Sequence, residues 1–208
     1  MSGTARTTWI VQSLIEKIEP GDITSVVAEF LLEFERRYKA MVLVASAGEG
    51  KGEFKGGALP DSDSKKLARR GKETRAILVG HFKGDVYYKY QTGGIVAALL
   101  AVRLPPAKGG NYRIGDLVAQ LGTRGAATEM IQFAVNQSMA YGHHGRVRLV
   151  AKNPDARDIY VHLEFRPISD RLVDRSSLEL DPAKSKKWKL VGGEWRYART
   201  GVPADASA

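Results

Sequence analysis

The stretch from Tyr112 to Pro167 constrains the fold more than any other part of the chain. Its spacing predicts a strand over 112–120, a glycine-rich turn Gly122-Thr123-Arg124-Gly125-Ala126-Ala127, and a helix over 126–141. A strand over 146–151 and a short helix opened by Asn153-Pro154 follow. In the first helix Met130, Phe133, Ala134 and Met139 are partial core contacts, and Gly142 is a left-handed stop. In the second strand Val147, Leu149 and Ala151 alternate with Arg146, Arg148 and Lys152, the pattern of a half-buried strand. Asn153 is a helix cap with proline at the first helical position. Ala156, Ile159, Tyr160 and Leu163 then fall on one helical face, before a strand over 165–169.

The rest of the chain fits around this unit. Ile10, Val11, Leu14, Ile15 and Ile18 are spaced as on a helix over 9–18, which Pro20-Gly21 ends. Asp22 is the cap of a second helix with an inner face of Val26, Val27, Phe30, Leu31, Phe34 and Tyr38. Met41–Ala45 is a short strand. Residues 46–72 are glycine-rich, polar and charged, which predicts a mobile loop over 46–74. Gly48-Glu49-Gly50-Lys51-Gly52 is not a phosphate-binding loop. Gly52 stands where Ser or Thr must follow Gly-Lys, and Ala45 stands where the first glycine belongs.

Strands are expected over 76–82 and 86–90, with a turn at Gly84-Asp85. The apolar run Gly94–Leu104 fits a buried strand or a buried helix, and the flanking glycines and Pro105-Pro106 favour the strand. Lys108-Gly109-Gly110 is a loop. Trp188–Val191, Gly192-Gly193 and Glu194–Tyr197 make a hairpin within a C-terminal segment 176–199, which either closes the sheet's edge or pairs with another chain. The end from Gly201 is frayed. The layout is one mixed α/β domain over 1–208: N-terminal helices over 1–45, the loop, a core over 76–170 and the hairpin.

Composition narrows the chemistry. The chain has 208 residues and no cysteine, so disulfides, thiolate metal sites and a thiol nucleophile are excluded. His143 and His144 are adjacent and point to different faces, and no histidine pair has metal-ligand spacing, so no metal site is expected. The longest apolar run is too short for a bilayer, and the N-terminal residues lack a secretory apolar segment. A cytoplasmic protein without a membrane partner is the expectation. The net charge of +9 favours acidic partners such as nucleic acid or phosphate-bearing cofactors. It concentrates in Lys65–Arg75 and Lys184–Arg199, each either a solvated face or a landing surface for an anion.

A glycine-rich turn between a strand and a helix offers backbone N–H groups to a phosphate, because no side chain blocks the approach. Arg124 adds a charge-assisted contact. Beyond this turn the sequence resembles the GNAT superfamily of N-acetyltransferases. In that family a strand leads into Gln/Arg-x-x-Gly-x-Gly/Ala and a helix. A second strand and an Asn…Ala…Tyr…Leu-Gly-Phe pattern follow. Gly125 and Ala127 fit the glycine positions, with Met130-Ile131 at the paired aliphatics. Asn153, Ala156, Tyr160, Leu163, Phe165 and Pro167 fit the second pattern in register. The resemblance covers about 55 residues. Gly122 occupies the place of the usual Gln or Arg; a second register puts Arg124 there, with Ala127 and Glu129 replacing the glycines. Glu164 stands where glycine is usual, and a left-handed turn there costs about 1–2 kcal/mol.

The resemblance implies a mixed sheet flanked by helices, with acetyl-CoA held between splayed parallel strands. Pyrophosphate would rest on the N–H groups of Thr123, Arg124, Gly125, Ala126 and Ala127. The pantetheine arm would pair with the strand at Leu117, Val118 and Ala119, and Asn153 would also bind the cofactor. It implies direct attack by an amine of unknown identity, with Tyr160 protonating the departing thiolate. Asp116 is the first candidate for the base; Glu129 and Glu73 are weaker ones. The alternative is a non-catalytic module of the same fold that binds nucleic acid or an acidic partner through its basic surfaces. The substrate-binding parts carry no signature, and an oligomer is possible.

Overall fold

The computed structural model describes residues 14–47, 61–105, 111–168 and 176–198. The expectations for 9–13, 48–60, 108–110, 169 and the end from 201 lie outside the described residues. A mixed seven-stranded sheet organises the chain. It contains β1 (Leu14–Ile18), β2 (Val86–Thr92), β3 (Ile95–Arg103), β4 (Arg113–Ala119), β5 (Val147–Val150), β6 (Arg166–Pro167) and β7 (Ser177–Leu180), in the order β1-β2-β3-β4-β5-β7-β6. All neighbours run antiparallel except β4 and β5. Helices α1 (Ile23–Ala47), α2 (Asp61–Ala76), α3 (Ala126–Ala140) and α4 (Pro154–His162) flank it.

The sheet separates two apolar cores. Phe30 and Phe34 of α1, with Leu78 and Phe82, pack on Val96, Leu99, Ala101 and Val118. On the other face Met130, Ile131, Ala134 and Val135 of α3 pack on Leu100, Val102, Ile114 and Leu149. Strand β3 supplies both cores and is buried from Val96 to Val102, as a continuous apolar run requires.

Several expectations need correction. Residues 14–18 form strand β1, not a helix. Ile15 packs toward the α3 core and Ile18 is buried in the α1 core, so the two isoleucines serve opposite faces. A helix would place them, three residues apart, on one side. The expected strand Met41–Ala45 is the last part of α1. The chain enters α1 through a 3-10 turn at Pro20–Asp22, and the Ser25 hydroxyl donates to the Asp22 carbonyl at 2.8 Å.

The described part of the expected loop, from Asp61 onward, is helix α2. This polar helix packs Gly71 against the Tyr38 ring of α1 and adds ion pairs: Arg75 makes a bidentate contact with Glu35 of α1 at 2.6 and 2.7 Å, and Arg69 pairs with Asp155 of α4. Residues Ile77–His81 continue it as a π-helical turn, not the expected strand. Leu78 and Phe82, four residues apart, share a helical face and both enter the α1 core. Strand β2 therefore pairs with β1 and β3 instead of with 76–82.

The C-terminal segment also divides differently. Ser177–Leu180 belongs to the main sheet as β7, between β5 and β6, and β6 is only two residues long. The hairpin of β8 (Trp188–Val191) and β9 (Glu194–Tyr197) forms where expected, but as a separate two-stranded sheet, so it does not close the main sheet's edge. It docks on α3: Asn136 Nδ2 donates to the Trp195 carbonyl at 3.1 Å, and Asn136 Oδ1 accepts from Trp195 N at 2.7 Å. Trp188 is 2% exposed, and its indole N–H donates to the Leu163 carbonyl at 3.1 Å.

Candidate functional site

Strands β4 and β5 begin as a parallel pair and then separate. Arg148 N donates to the Tyr112 carbonyl at 2.9 Å, and Arg113 opposite Arg148 is the single registered pair. Beyond it the β5-facing edge of β4 has no partner strand among the described residues. Backbone polar groups need partners, so an open edge inside a fold is a place for a ligand that carries amides. The expected central sheet with splayed parallel strands is present.

Gly115 shapes this strand. The β3–β4 register shifts there: Ala101 faces Asp116 and Val102 faces Ile114, leaving Gly115 as the extra residue of a bulge. The bulge inverts the alternation. Ile114 faces the α3 core, yet after it Leu117 and Ala119 face that core while Val118 faces the other. A Cβ at Gly115 would stand 2.7 Å from the Lys83 carbonyl oxygen, so only glycine fits.

The opening between the strands is a cavity of about 720 Å3. Its walls are β4 from Ile114 to Ala119, Leu149 and Val150 of β5, Ile77 and Glu73 from the α2 side, and Ile159 and Tyr160 of α4. Gly122 and Ala127 border one end.

That end is the glycine-rich turn. Gly122 and Gly125 have φ of 78° and 82°, and Gly125 caps α3 from the left-handed region. The first amides of a helix have no intrahelical partner, and the absence of a side chain at Gly125 leaves them approachable. Thr123 Oγ1 donates to the Gln120 carbonyl at 2.7 Å, which fixes the turn, and Arg124 is exposed beside it. Arg37 of α1 reaches the same turn and donates to the Leu121 carbonyl at 3.1 Å. Nothing local in the sequence marks Arg37, which lies 84 residues away.

Toward the other end sits the polar centre. Asp116 is only 6% exposed. Its Oδ2 accepts from Lys83 N at 3.1 Å, and its Oδ1 accepts from Lys152 Nζ. Lys152 follows β5, so this ion pair bridges the two separating strands. Tyr160 lines the same cavity. Burial, and then the Asp116 carboxylate, push its hydroxyl up to about 12. Its ring lies 5.5 Å from Phe165.

Asn153 borders the cavity with both polar atoms engaged. Oδ1 accepts from Ala156 N at 2.7 Å as the α4 cap, and Nδ2 donates to Glu73 at 2.6 Å. Glu129 lies in the first turn of α3 and does not line the cavity. Glu164 has φ of 72°, so the turn after α4 takes the left-handed form that usually calls for glycine, and its carboxylate pairs with Lys187 at 3.6 Å.

The structure thus brings together Tyr160, Asp116, Leu117, Val118, Ala119, Ala127 and Asn153 around one cavity, with Thr123 to Ala126 at its glycine-bordered end. Sequence reasoning missed Lys152, Arg37 and the bulge at Gly115. The available signal was a charged residue, Asp116, at a buried position between Ile114 and Val118. Among the described residues no group of histidines and carboxylates could hold a metal ion, and no helix is long and apolar enough to cross a membrane.

No family model matches the sequence, and no curated protein matches it significantly. Solved structures similar in shape include a GNAT family acetyltransferase from Brucella melitensis in complex with acetyl-CoA, at 13% identity and a TM-score of 0.42, covering 81% of this chain and 87% of that one. Another is an acyl-CoA N-acyltransferase from Pseudomonas aeruginosa, at 12% identity and a TM-score of 0.44, covering 82% and 100%. A third is a predicted acetyltransferase with acetyl-CoA from Clostridium acetobutylicum, at 18% identity and a TM-score of 0.40, covering 77% and 94%. At such identities and scores the cavity's own geometry must carry any functional argument.

Proposed function

We propose that this chain is an acetyl-CoA-dependent N-acetyltransferase that passes the acetyl group to a primary amine by direct attack. The observation that carries the reading is the unpaired edge of β4. It starts where β5 turns away at Arg113, lines the cavity from Ile114 to Ala119, and runs toward the left-handed Gly125 at the head of α3.

The residues present suit acetyl-CoA. The open edge matches the amides of a pantetheine arm, and the glycine-bordered helix start matches a pyrophosphate. Arg124 stands exposed at that turn as a cation, and Arg37, ion-paired with Glu33, braces the turn through the Leu121 carbonyl. Acetyl-CoA supplies an acyl thioester whose leaving group is a thiolate.

Tyr160 is the donor for that thiolate. Its hydroxyl, raised to about 12, stays protonated throughout the neutral range and can donate to the charge that develops on sulfur. Asp116 is the group within the cavity that takes the proton from the attacking amine. Lys83 N–H and the Lys152 ammonium fix its orientation. Asn153 acts by holding the start of α4 and tying it to Glu73, which sets where Tyr160 stands.

The non-catalytic reading rests on the basic segments, and four of their residues are engaged within the fold. Arg69 pairs with Asp155, Arg75 with Glu35, Lys184 with Asp181 and Lys187 with Glu164. The deciding experiment incubates the protein with acetyl-CoA and a panel of primary amines and reads free thiol. Amine-dependent thiol release supports the transferase. No release with any amine, together with RNA or DNA binding that weakens steeply with salt, favours the binding module.

A further inference from the structure

The amine nearest to the proposed chemistry belongs to the chain itself. Lys152 Nζ donates to Asp116 Oδ1 across the mouth of the splayed strands, and both residues line the cavity with Tyr160. The Asp116 side chain is 5% exposed and the Lys152 side chain 46%, so the carboxylate is buried while the lysine stem keeps room to move. Other lysines are held elsewhere: Lys89 pairs with Glu16 at 2.9 Å, and Lys187 donates to the His162 carbonyl at 2.9 Å. Among the described lysines, Lys152 alone borders the cavity.

We infer that Lys152 is a self-acetylation site of this protein, modified in its own cavity by the bound acetyl-CoA. The inference rests on the acetyltransferase reading. A primary amine, a carboxylate to receive its proton and a phenol lining the same cavity are the three groups that acyl transfer to nitrogen needs. They are already assembled here.

The step balances as follows. Asp116 receives the proton that turns the ammonium into a neutral amine. The N–C bond forms as the C–S bond of the thioester breaks, and the thiolate takes a proton from the Tyr160 hydroxyl. The second proton, shed by the new amide nitrogen, restores that hydroxyl. The products are an acetyl-lysine, a free thiol and one proton left on Asp116. The modification is slow compared with turnover on a free amine, because the ammonium must first give up its ion pair. It also dissolves that pair, leaving Asp116 with the Lys83 N–H alone.

The test is peptide mapping by mass spectrometry after incubating the whole protein with isotopically labelled acetyl-CoA, alongside a thermal-shift titration with the same ligand. The expected result is label concentrated on Lys152 at a rate on the order of tenfold above any surface lysine, a bias of about 1.4 kcal/mol in barrier. That bias should vanish in the denatured chain and fall in Asp116→Asn. Lys152→Arg should lose this label without transferring it to another lysine. A thermal shift with label spread over surface lysines, or with no label on Lys152, overturns the inference and leaves the acetyltransferase reading standing. No thermal shift in a folded protein overturns that reading, and the inference with it.

Discussion

Strand β4 treats its two neighbours differently. Toward β3 it is registered from Arg113 to Ala119 with one bulge at Gly115, and the β3 residues opposite from Ala98 to Val102 are fully buried. Toward β5 it makes one pair and then stands open. The closed edge carries stability, because its residues apart from Gly115 are backbone-paired and Ala98 to Val102 opposite are covered on both faces. The open edge leaves backbone groups and a buried carboxylate unshielded by a neighbouring strand, an arrangement a fold tolerates where a ligand completes it. Substitutions on the two edges should therefore separate into loss of activity and loss of fold.

The largest effect is expected at the open edge. Tyr160→Phe should lower acetyl transfer by roughly 10^2–10^4-fold while leaving the melting temperature nearly unchanged. Turnover equal to that of the parent protein would remove Tyr160 from the mechanism. On the closed edge Leu100 is fully buried, and Leu100→Ala should cost about 2–5 kcal/mol in urea unfolding. The folded fraction should still bind acetyl-CoA with unchanged affinity. Weakened binding by the folded fraction would mean that the two edges are not independent.

A third substitution should act in the stabilising direction. Glu164 holds φ of 72°, so Glu164→Gly relieves about 1–2 kcal/mol of left-handed strain, less what the Lys187 ion pair contributes. A lower melting temperature would show that the ion pair outweighs the strain. Asn153→Ala should cost about 1 kcal/mol through loss of the α4 cap, with a reduced kcat and little change in acetyl-CoA affinity. Lost affinity would instead make Asn153 a direct ligand.

The smallest effect concerns pH and lies away from both edges. Hydrogen bonds from Arg36, then from Arg37, hold Glu33 at about 2, below its ordinary 4.5. A lowered folded value means that the carboxylate stabilises the fold fully above about pH 4.5 and loses that contribution as pH falls toward 2. The difference in melting temperature between the parent and Glu33→Gln should hold above pH 5 and shrink below 4. A difference that persisted at pH 2 would contradict the assignment.

The sequence made the helix–strand order of the site legible because Tyr112–Pro167 carries strong local signals: Gly125 at a turn, Asn153-Pro154 at a helix start, and alternation at Val147 and Leu149. The double-glycine hairpin was legible for the same reason. What escaped was set by distant partners. Ile15 and Ile18 fit either period, and only pairing with Tyr90 and Tyr87 makes them a strand. Helix α2 has almost no apolar face, and its contacts are with Tyr38, Glu35 and Asp155, residues outside its own segment. The Asp116–Lys152 pair joins residues 36 apart, and the ends of two separate strands bring them together. Local patterns locate elements; the chemistry here arises where elements separate.

A thermal-shift titration with acetyl-CoA, with CoA and adenosine diphosphate for comparison, tests the central claim most directly. If the open edge of β4 and the head of α3 form one cofactor site, acetyl-CoA at about 100 times its dissociation constant should stabilise the fold by roughly 2.7 kcal/mol. Adenosine diphosphate, which can fill only the phosphate end, should give a smaller shift. A folded protein whose melting temperature is unmoved by acetyl-CoA up to millimolar concentration would contradict the account.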